Sequence, residues 1–406
     1  MRHTTRKWLA LALALAMLLA LAACGGGNAG ENDAAGSQQA QNAGSQNTGG
    51  QDEDTQENAQ EGAEGPVLEG QMALDYAEKF TIDLYSGGYR VINIEGAAAP
   101  YLVVPEGAAV PETLAEGATV LQLPIERAYV ASTSMMSLLD AIGGLDQVKL
   151  VATEQEKWYL ENIVSRMEAG DMAYSGAYDE PDYELMTAGD IQFHLDSGMV
   201  DGHPEVLEKF AELGIPSLVE RSSQEGHPLA RVEWVKVLGV LFGLEDEAQQ
   251  YFEEQKALVE GAAGADTGRT ASMGYITSSG KCYARNGGDY MAQMIALAGG
   301  EYILADMAPE ESGNTNMTFE DWYAGNKDAD YLFYVNFAMS FDSLQAMIDY
   351  NPLFADFKAV QEGHVYVTSP DFTQSTAAIA SIIADMNTIF TSDDPEVTTD
   401  HLIRLS

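Results

Sequence analysis

Glu225-Gly226-His227-Pro228-Leu229-Ala230-Arg231-Val232-Glu233-Trp234-Val235-Lys236 opens a helical pattern that runs to about Gly261. Pro228 suits the first helical position, where its missing N–H removes no bond. Leu229, Val232, Val235, Leu238, Leu241 and Phe242 recur along one face at the helix period. The pattern predicts one helix over 228–262, about 50 Å long at ~1.5 Å per residue, enough to span a whole domain. Upstream, Tyr89–Glu95, Tyr101–Pro105, Val120–Leu123, Ala128–Ala131, Lys149–Ala152, Ile191–Leu195 and Ser217–Val219 read as strands. Helical stretches at Met135–Ile142, Tyr183–Ala188 and Pro204–Leu213 alternate with the later ones, the first capped by Ser132-Thr133-Ser134. Downstream, strands at Ala271–Ile276, Cys282–Ala284, Tyr331–Val335 and Val365–Val367 alternate with helices at Asp289–Leu297, Thr318–Ala324 and Ser375–Phe390. This alternation predicts α/β lobes with largely parallel sheets. The expected plan is an N-terminal lobe over 66–227, a connecting helix over 228–262 and a C-terminal lobe over 263–406.

The chain begins with Arg2, Arg6 and Lys7, then an apolar run from Trp8 to Ala23. That run is slightly short of the ~20 residues needed to cross a bilayer and has the form of a signal peptide over 1–23. Leu21-Ala22-Ala23-Cys24 followed by Gly25-Gly26-Gly27 resembles the lipobox of bacterial lipoproteins, in which the cysteine becomes the acylated mature N-terminus. Cys24 is therefore the expected lipidation site, and the protein is expected to sit outside the cytoplasm, held to the cell membrane by lipid alone. Cys282 is the only other cysteine, so no intrachain disulfide framework is expected. Between Gly25 and Gly65 the chain has no Leu, Ile, Val, aromatic, Lys or Arg. Such a segment buries too little apolar surface to offset its chain entropy. Residues 24–65 are expected to form an acidic disordered tether, with an end-to-end distance on the order of 35 Å.

The net charge is −43, with 20 Lys and Arg against 63 Asp and Glu. Nucleic acid is excluded as a partner, because phosphate binding needs clustered basic residues. Direct adsorption to anionic lipid is excluded on the same ground. No GxSxG elbow, P-loop, GxGxxG after a strand or CxxC is present, and no enzymatic activity is expected.

The lobe–helix–lobe plan on a lipid-anchored chain resembles the solute-binding proteins of ABC importers that take iron–siderophore complexes, haem and cobalamin. Residues 225–236 resemble the start of that family's connecting helix. Asp328-Ala329-Asp330-Tyr331-Leu332-Phe333 resembles its strand entry in the second lobe, and the segment from Asn351-Pro352-Leu353 to Gly363-His364-Val365-Tyr366 resembles another of its signatures. The resemblance covers roughly residues 75 to 392. It implies two Rossmann-like lobes, a cleft between them holding one small-molecule ligand, and permease and ATPase partners. It implies no cofactor of the protein's own, since any iron or cobalt belongs to the ligand, and a monomer is expected. It also implies a surface glutamate on each lobe that pairs with permease arginines. Glu184, before the strand Ile191–Leu195, and Glu320, before Tyr331–Val335, occupy those places.

Ligand contacts are expected from loops at the C-terminal ends of strands. In the first lobe Thr133, Trp158, Tyr159 and Tyr178 fall there, with flat rings suited to corrins, porphyrins or catecholates. In the second, Lys281, Tyr283 and Arg285 share one strand face and suit an anionic ligand. Asn336, Phe337, Phe372 and Thr373 follow later strands. Arg231, at the mouth of the connecting helix, either faces the cleft or pairs with Glu225, and the pairing is the expectation. Two alternatives stand beside this reading. One is a subunit binding bare zinc or manganese, which needs about three His plus a carboxylate; the six His are scattered. The other is an adhesion or structural lipoprotein without a transport role. Small lobe motion is expected, because a continuous helix resists bending.

Overall fold

The computed structural model describes residues 65–263 and 266–406. The signal peptide, Cys24 and the tether up to residue 64 lie outside the described residues. Among the described residues, no helix is long and apolar enough to cross a membrane.

Among the described residues three large sheets carry the fold, beside a two-stranded one formed by Gly176–Ala177 and Glu180–Pro181. The second, in sequence order, has five strands, all parallel: Ser217–Glu220, Phe193–Ser197, Ala128–Val130, Val148–Val151 and Ala173–Tyr174 are successive neighbours. The third has seven strands, ordered Asn314–Met317, Cys282–Arg285, Arg269–Ile276, Tyr331–Tyr334, Val365–Thr368 and Leu402–Arg404, with Gly300–Tyr302 beside the start of Arg269–Ile276. Arg269–Ile276 pairs parallel with Tyr331–Tyr334 and antiparallel with Cys282–Arg285. The antiparallel turn is forced: a parallel return needs a crossover of a dozen or more residues, and only 277–281 intervene.

Connection length also decides where the early strands go. Tyr89–Glu95, Tyr101–Pro105 and Val120–Leu123 were expected within the parallel lobe. They instead build a separate sheet, Leu68–Gln71, Phe80–Tyr85, Arg90–Ile94, Tyr101–Val104 and Thr119–Gln122, antiparallel except for its last pair. Gly87, at φ 77°, turns the chain between the second and third strands.

The helix expected over 228–262 is divided. Pro228–Glu233, Val235–Phe242 and Glu245–Ala262 are separate segments, and Gly243 closes the second in the left-handed region at φ 69°. The two later segments fold back on each other. A Cβ on Gly239 would stand 2.7 Å from the Ala248 Cβ and 3.0 Å from the Leu244 oxygen, so the hairpin needs glycine there. All of Val235–Phe242 is buried, which is why its apolar residues continue round the helix rather than keeping to one stripe. The piece that continues toward the second lobe is the 18-residue Glu245–Ala262, about 27 Å long. One continuous cluster of buried side chains runs from the first sheet through these helices into the second lobe.

The residues that open the linker hold down the N-terminal strap. The Glu233 carboxyl group, fully buried, accepts from the backbone N–H groups of Asp75, Tyr76 and Ala77, each at 2.8 Å. Lys236 Nζ lies 2.8 Å from Glu233 Oε1 and donates to the Ala73 carbonyl at 2.9 Å. Glu225 accepts from the Glu78 and Lys79 N–H groups and from Trp234 Nε1. His227 stacks on Tyr76 at 4.4 Å between centroids and accepts the Leu229 N–H. The expected Arg231–Glu225 pair is therefore not a carboxylate pair: Arg231 reaches only the Glu225 backbone carbonyl, at 3.4 Å.

The C-terminal strand is tied back similarly. His401 Nδ1 lies 2.8 Å from Asp385 Oδ2 on the helix Ile379–Thr391. Its bond to Asp385 holds His401 above the ordinary histidine pKa.

Glu233→Ala strands a buried lysine and three N–H groups, and should destabilise the chain by about 3–5 kcal/mol in urea titrations. Glu233→Leu with Lys236→Met removes both charges together and should cost less than the single change. The His401 pair stabilises fully below the unfolded histidine pKa and is lost as pH rises through the higher folded value. Melting curves between about pH 6 and about pH 9 should show a smaller fall in Tm for His401→Gln than for the unaltered chain.

Candidate ligand cleft

The parallel strands of both lobes end on one cavity of about 600 Å³. Thr133 follows Ala128–Val130, Thr153 and Lys157 follow Val148–Val151, Met199 follows Phe193–Ser197 and Ser223 follows Ser217–Glu220. From the second lobe come Tyr275 and Arg285 on neighbouring strands, Tyr290 at the head of its helix, Phe337 after Tyr331–Tyr334, and Thr373 and Gln374 after Val365–Thr368. Convergence of strand ends is where α/β folds bind ligands. A second cavity of about 640 Å³ lies elsewhere, lined by Ala97, Tyr101, Leu207 and Ile215 among others. Its one basic side chain, Arg221, is bound to Asp201, so it offers no free charge to a ligand.

Three cations meet at the cleft. Arg231 donates from Nη2 to the Ser223 carbonyl at 2.6 Å and lies flat on Tyr290, 3.5 Å from the ring centroid. Such stacking fixes a guanidinium without neutralising it. Arg285 sits 5.7 Å from the Tyr275 centroid, and its Nε is buried without a hydrogen-bond partner. Asp289 is 3.9 Å from Arg285, but its carboxyl group already accepts from the Met291 and Gly313 N–H groups. Lys157 lies at the rim beside Glu154, at 2.7 Å. Behind the cavity, Glu220 accepts from Ser132 Oγ at 3.0 Å, and burial pushes its pKa up. Burial likewise raises the Tyr275 phenol, with Arg285 opposing.

Of the residues expected to touch ligand, Thr133, Arg285, Phe337 and Thr373 line this cavity. The others do not. Trp158 is buried in the core and donates Nε1 to the Thr153 carbonyl at 3.1 Å, so it anchors its own loop. Tyr159 is exposed, away from the lining. Tyr178 packs edge-on against His203 at 5.8 Å. Lys281 belongs to the turn closed by Thr277, at the far end of its strand from Arg285. Tyr283 packs on Tyr275 at 5.1 Å, behind it as seen from the cavity lining. Asn336 accepts the Phe341 N–H and shapes its own loop. Phe372 is buried in the core. Lys157, Arg231, Tyr275 and Tyr290 line the cavity without having been picked out as ligand contacts. Lys157 stands next to Trp158, and Tyr275 pairs in register with Tyr283, so both lay one step from chosen residues.

Glu184 and Glu320 each occupy the second position of a helix, Tyr183–Ala188 and Phe319–Asn326, and both are exposed. His194 is buried, with Nδ1 3.0 Å from Ser217 Oγ. Cys282 is buried too, and its thiol is pushed up to about 12 by loss of hydration, which leaves it unreactive. Among the described residues no group of three or more His, Cys, Asp or Glu is placed to hold a metal ion.

Residues 193–372 match the family described as periplasmic binding protein. The chain has the periplasmic-binding-protein fold. A possible iron-binding, periplasmic solute-binding protein of Staphylococcus epidermidis superposes with a TM-score of 0.52 at 14% identity, covering 66% of this chain and 99% of that one. A periplasmic heme binding protein of Pseudomonas aeruginosa gives a TM-score of 0.51 at 15% identity, over 65% and 92% of the two chains. An uncharacterized lipoprotein of Methanocaldococcus jannaschii is 26% identical over 342 residues, 78% of this chain and 81% of that protein. Periplasmic binding proteins are solute binders rather than enzymes, and they work outside the cytoplasm. The matched stretch contains the linker start, the second-lobe strand entry and the Asn351–Tyr366 segment on which the resemblance was read.

Proposed function

We propose that this chain is the extracytoplasmic capture subunit of an ABC importer. Its ligand is an iron complex, a ferric siderophore or haem, or a cobalamin, held in the interlobe cavity and delivered to a permease driven by an ATPase. One observation carries the reading: Lys157, Arg231 and Arg285 converge with Tyr275, Tyr290 and Phe337 on one cavity, in a chain whose net charge is −43. Flat rings receive a flat or ring-rich ligand, and guanidinium groups receive its carboxylates or phenolates. This favours the anionic iron complexes within the class. Among the described residues no His lines the cavity, so its donors suit an organic anion better than a bare divalent ion.

Lipid on Cys24 would keep a loaded domain near its permease, and two relatives named as lipoproteins support that anchor. Glu184 and Glu320 are the docking contacts in this reading. Exposed acids at equivalent helix starts on both lobes suit a partner with paired arginines, where rim charges set register and on-rate.

Titration of the unlipidated Cys24→Ser chain with haemin, a ferric catecholate and cyanocobalamin should quench tryptophan fluorescence with at least one of them. A response to none would overturn the reading. Arg285→Ala should weaken an anionic ferric complex about tenfold to a hundredfold and leave neutral cyanocobalamin within about twofold. Glu184→Arg with Glu320→Arg should abolish uptake by cells at unchanged ligand affinity; uptake at the normal rate would refute the docking role.

A further inference from the structure

The two lobes meet a second time away from the linker helices. After the strand Val365–Thr368 the chain leaves the second lobe and crosses to the first. Phe372 enters the shared core, and the Ala377 N–H donates to Ser137 Oγ on the first-lobe helix Thr133–Ala141 at 3.0 Å. The Ala377 carbonyl accepts from Tyr251 Oη on the linker helix at 2.7 Å. Between these anchors stands Gln374, 9% exposed. Its Oε1 accepts the Tyr159 N–H at 3.0 Å, and its Nε2 donates to the Lys157 carbonyl at 2.8 Å. The side-chain amide thus pairs with the first-lobe backbone as a neighbouring strand would. Among the described residues, no other hydrogen bond joins the 153–160 segment to the second lobe. Lys157 and Gln374 both line the ligand cavity.

We propose that Gln374 is a positioning residue, an amide latch that closes the two lobes at the cavity mouth and holds the Lys157 turn over the ligand. The second half of that statement rests on the cleft being the ligand site; the first does not. Swinging the lobes apart here breaks both bonds at once and leaves a buried amide, the Tyr159 N–H and the Lys157 carbonyl to be rehydrated. Each such bond is worth a few-fold to about tenfold, so the pair shifts the balance of closed over open forms about tenfold to a hundredfold. A latch of this kind acts on ligand escape more than on entry, because escape must break it.

The test needs no ligand. Spin labels are placed on the exposed positions Glu208→Cys and Gln361→Cys of the full Cys24→Ser chain, one on each lobe. The chain with Gln374 should give one narrow interlobe distance. Gln374→Ala should lengthen and broaden it, and should speed hydrogen exchange at the Tyr159 amide at least tenfold. Gln374→Met keeps the side chain's length without its hydrogen bonds; it should behave the same way and guards against a mere packing defect. An unchanged distance distribution with unchanged Tyr159 exchange in both variants would overturn the latch, whatever the variants do to Tm. In a separate arm with haemin as probe, the dissociation rate should rise about tenfold at a constant association rate. No binding of haemin, the ferric catecholate or cyanocobalamin by the unaltered chain would count against the cleft reading and leave the spin-label result standing, whereas slower association at a constant dissociation rate would overturn the Lys157-holding role.

Discussion

The buried Glu233–Lys236 pair is the constraint on which the docking of the N-terminal strap and first sheet against the linker depends. A carboxyl group and an ammonium taken wholly out of water are tolerated only when nearly every remaining donor and acceptor is satisfied. Here that satisfaction comes from another part of the chain, the backbone N–H groups of Asp75, Tyr76 and Ala77 and the Ala73 carbonyl. The register of the strap is marked by a side chain, Tyr76, stacked on His227 and edge-on to Phe252. Its fixed path leads directly into Phe80–Tyr85, so the pair also orients the first sheet against the linker. Glu225 and Trp234 repeat the device for the next two residues. The linker start that carries the family resemblance is thus occupied mainly with holding the N-terminal strap, and only Arg231 of it reaches the cavity.

Element type was legible wherever one period dominated. Tyr183–Ala188 was read with its true bounds because Asp182 caps it and Gly189 ends it. Ala128–Val130, Tyr101–Val104 and Tyr331–Tyr334 are buried on both faces and read as short unbroken apolar runs. The partner of a strand was legible only from connection length, and treating the early strands as part of the parallel sheet ignored how few residues separate Phe80–Tyr85 from Arg90–Ile94. The division of the linker hid at Gly243. Beside it, the local marks of the reversal are Gly239 and the acidic first turn Glu245-Asp246-Glu247 of the next helix. Leu402–Arg404 and Leu344–Tyr350 left too short a pattern to stand out.

The cleft was legible by rule and less so by residue. Strand ends named loops that line the cavity, giving Thr133, Phe337 and Thr373, while Arg285 came from the alternation of its strand. Which side chain of a loop turns inward depends on its turn geometry. In Gln155-Glu156-Lys157-Trp158-Tyr159 a short 3₁₀ turn sends Trp158 into the core and brings Lys157 to the cavity lining. Aromaticity favoured the neighbour that faces the core, because a tryptophan beside a core is drawn in by its apolar area while a lysine cannot follow it.

Dividing the linker changes how rigidity must be explained. A continuous helix of 35 residues would resist hinge motion by its own ladder of hydrogen bonds. A hairpin with a left-handed glycine at its turn supplies less of that, and the load passes to packing and to ties made elsewhere. Val235–Phe242 lies wholly within the shared core, and the helix Ile379–Thr391 contributes seven buried residues to it. Close-packed interiors of this kind resist small deformations and yield, if at all, between discrete arrangements. The crossing segment 372–378 adds hydrogen bonds on the far side of the cleft from the strap. The strap pinned by Glu233 fixes the first sheet to the linker, while Gln374 on the Lys157 turn and Ala377 on Ser137 join the two lobes directly. Small lobe motion therefore remains the expectation, with its cause moved from the stiffness of one helix to the shared core and the crossing segment.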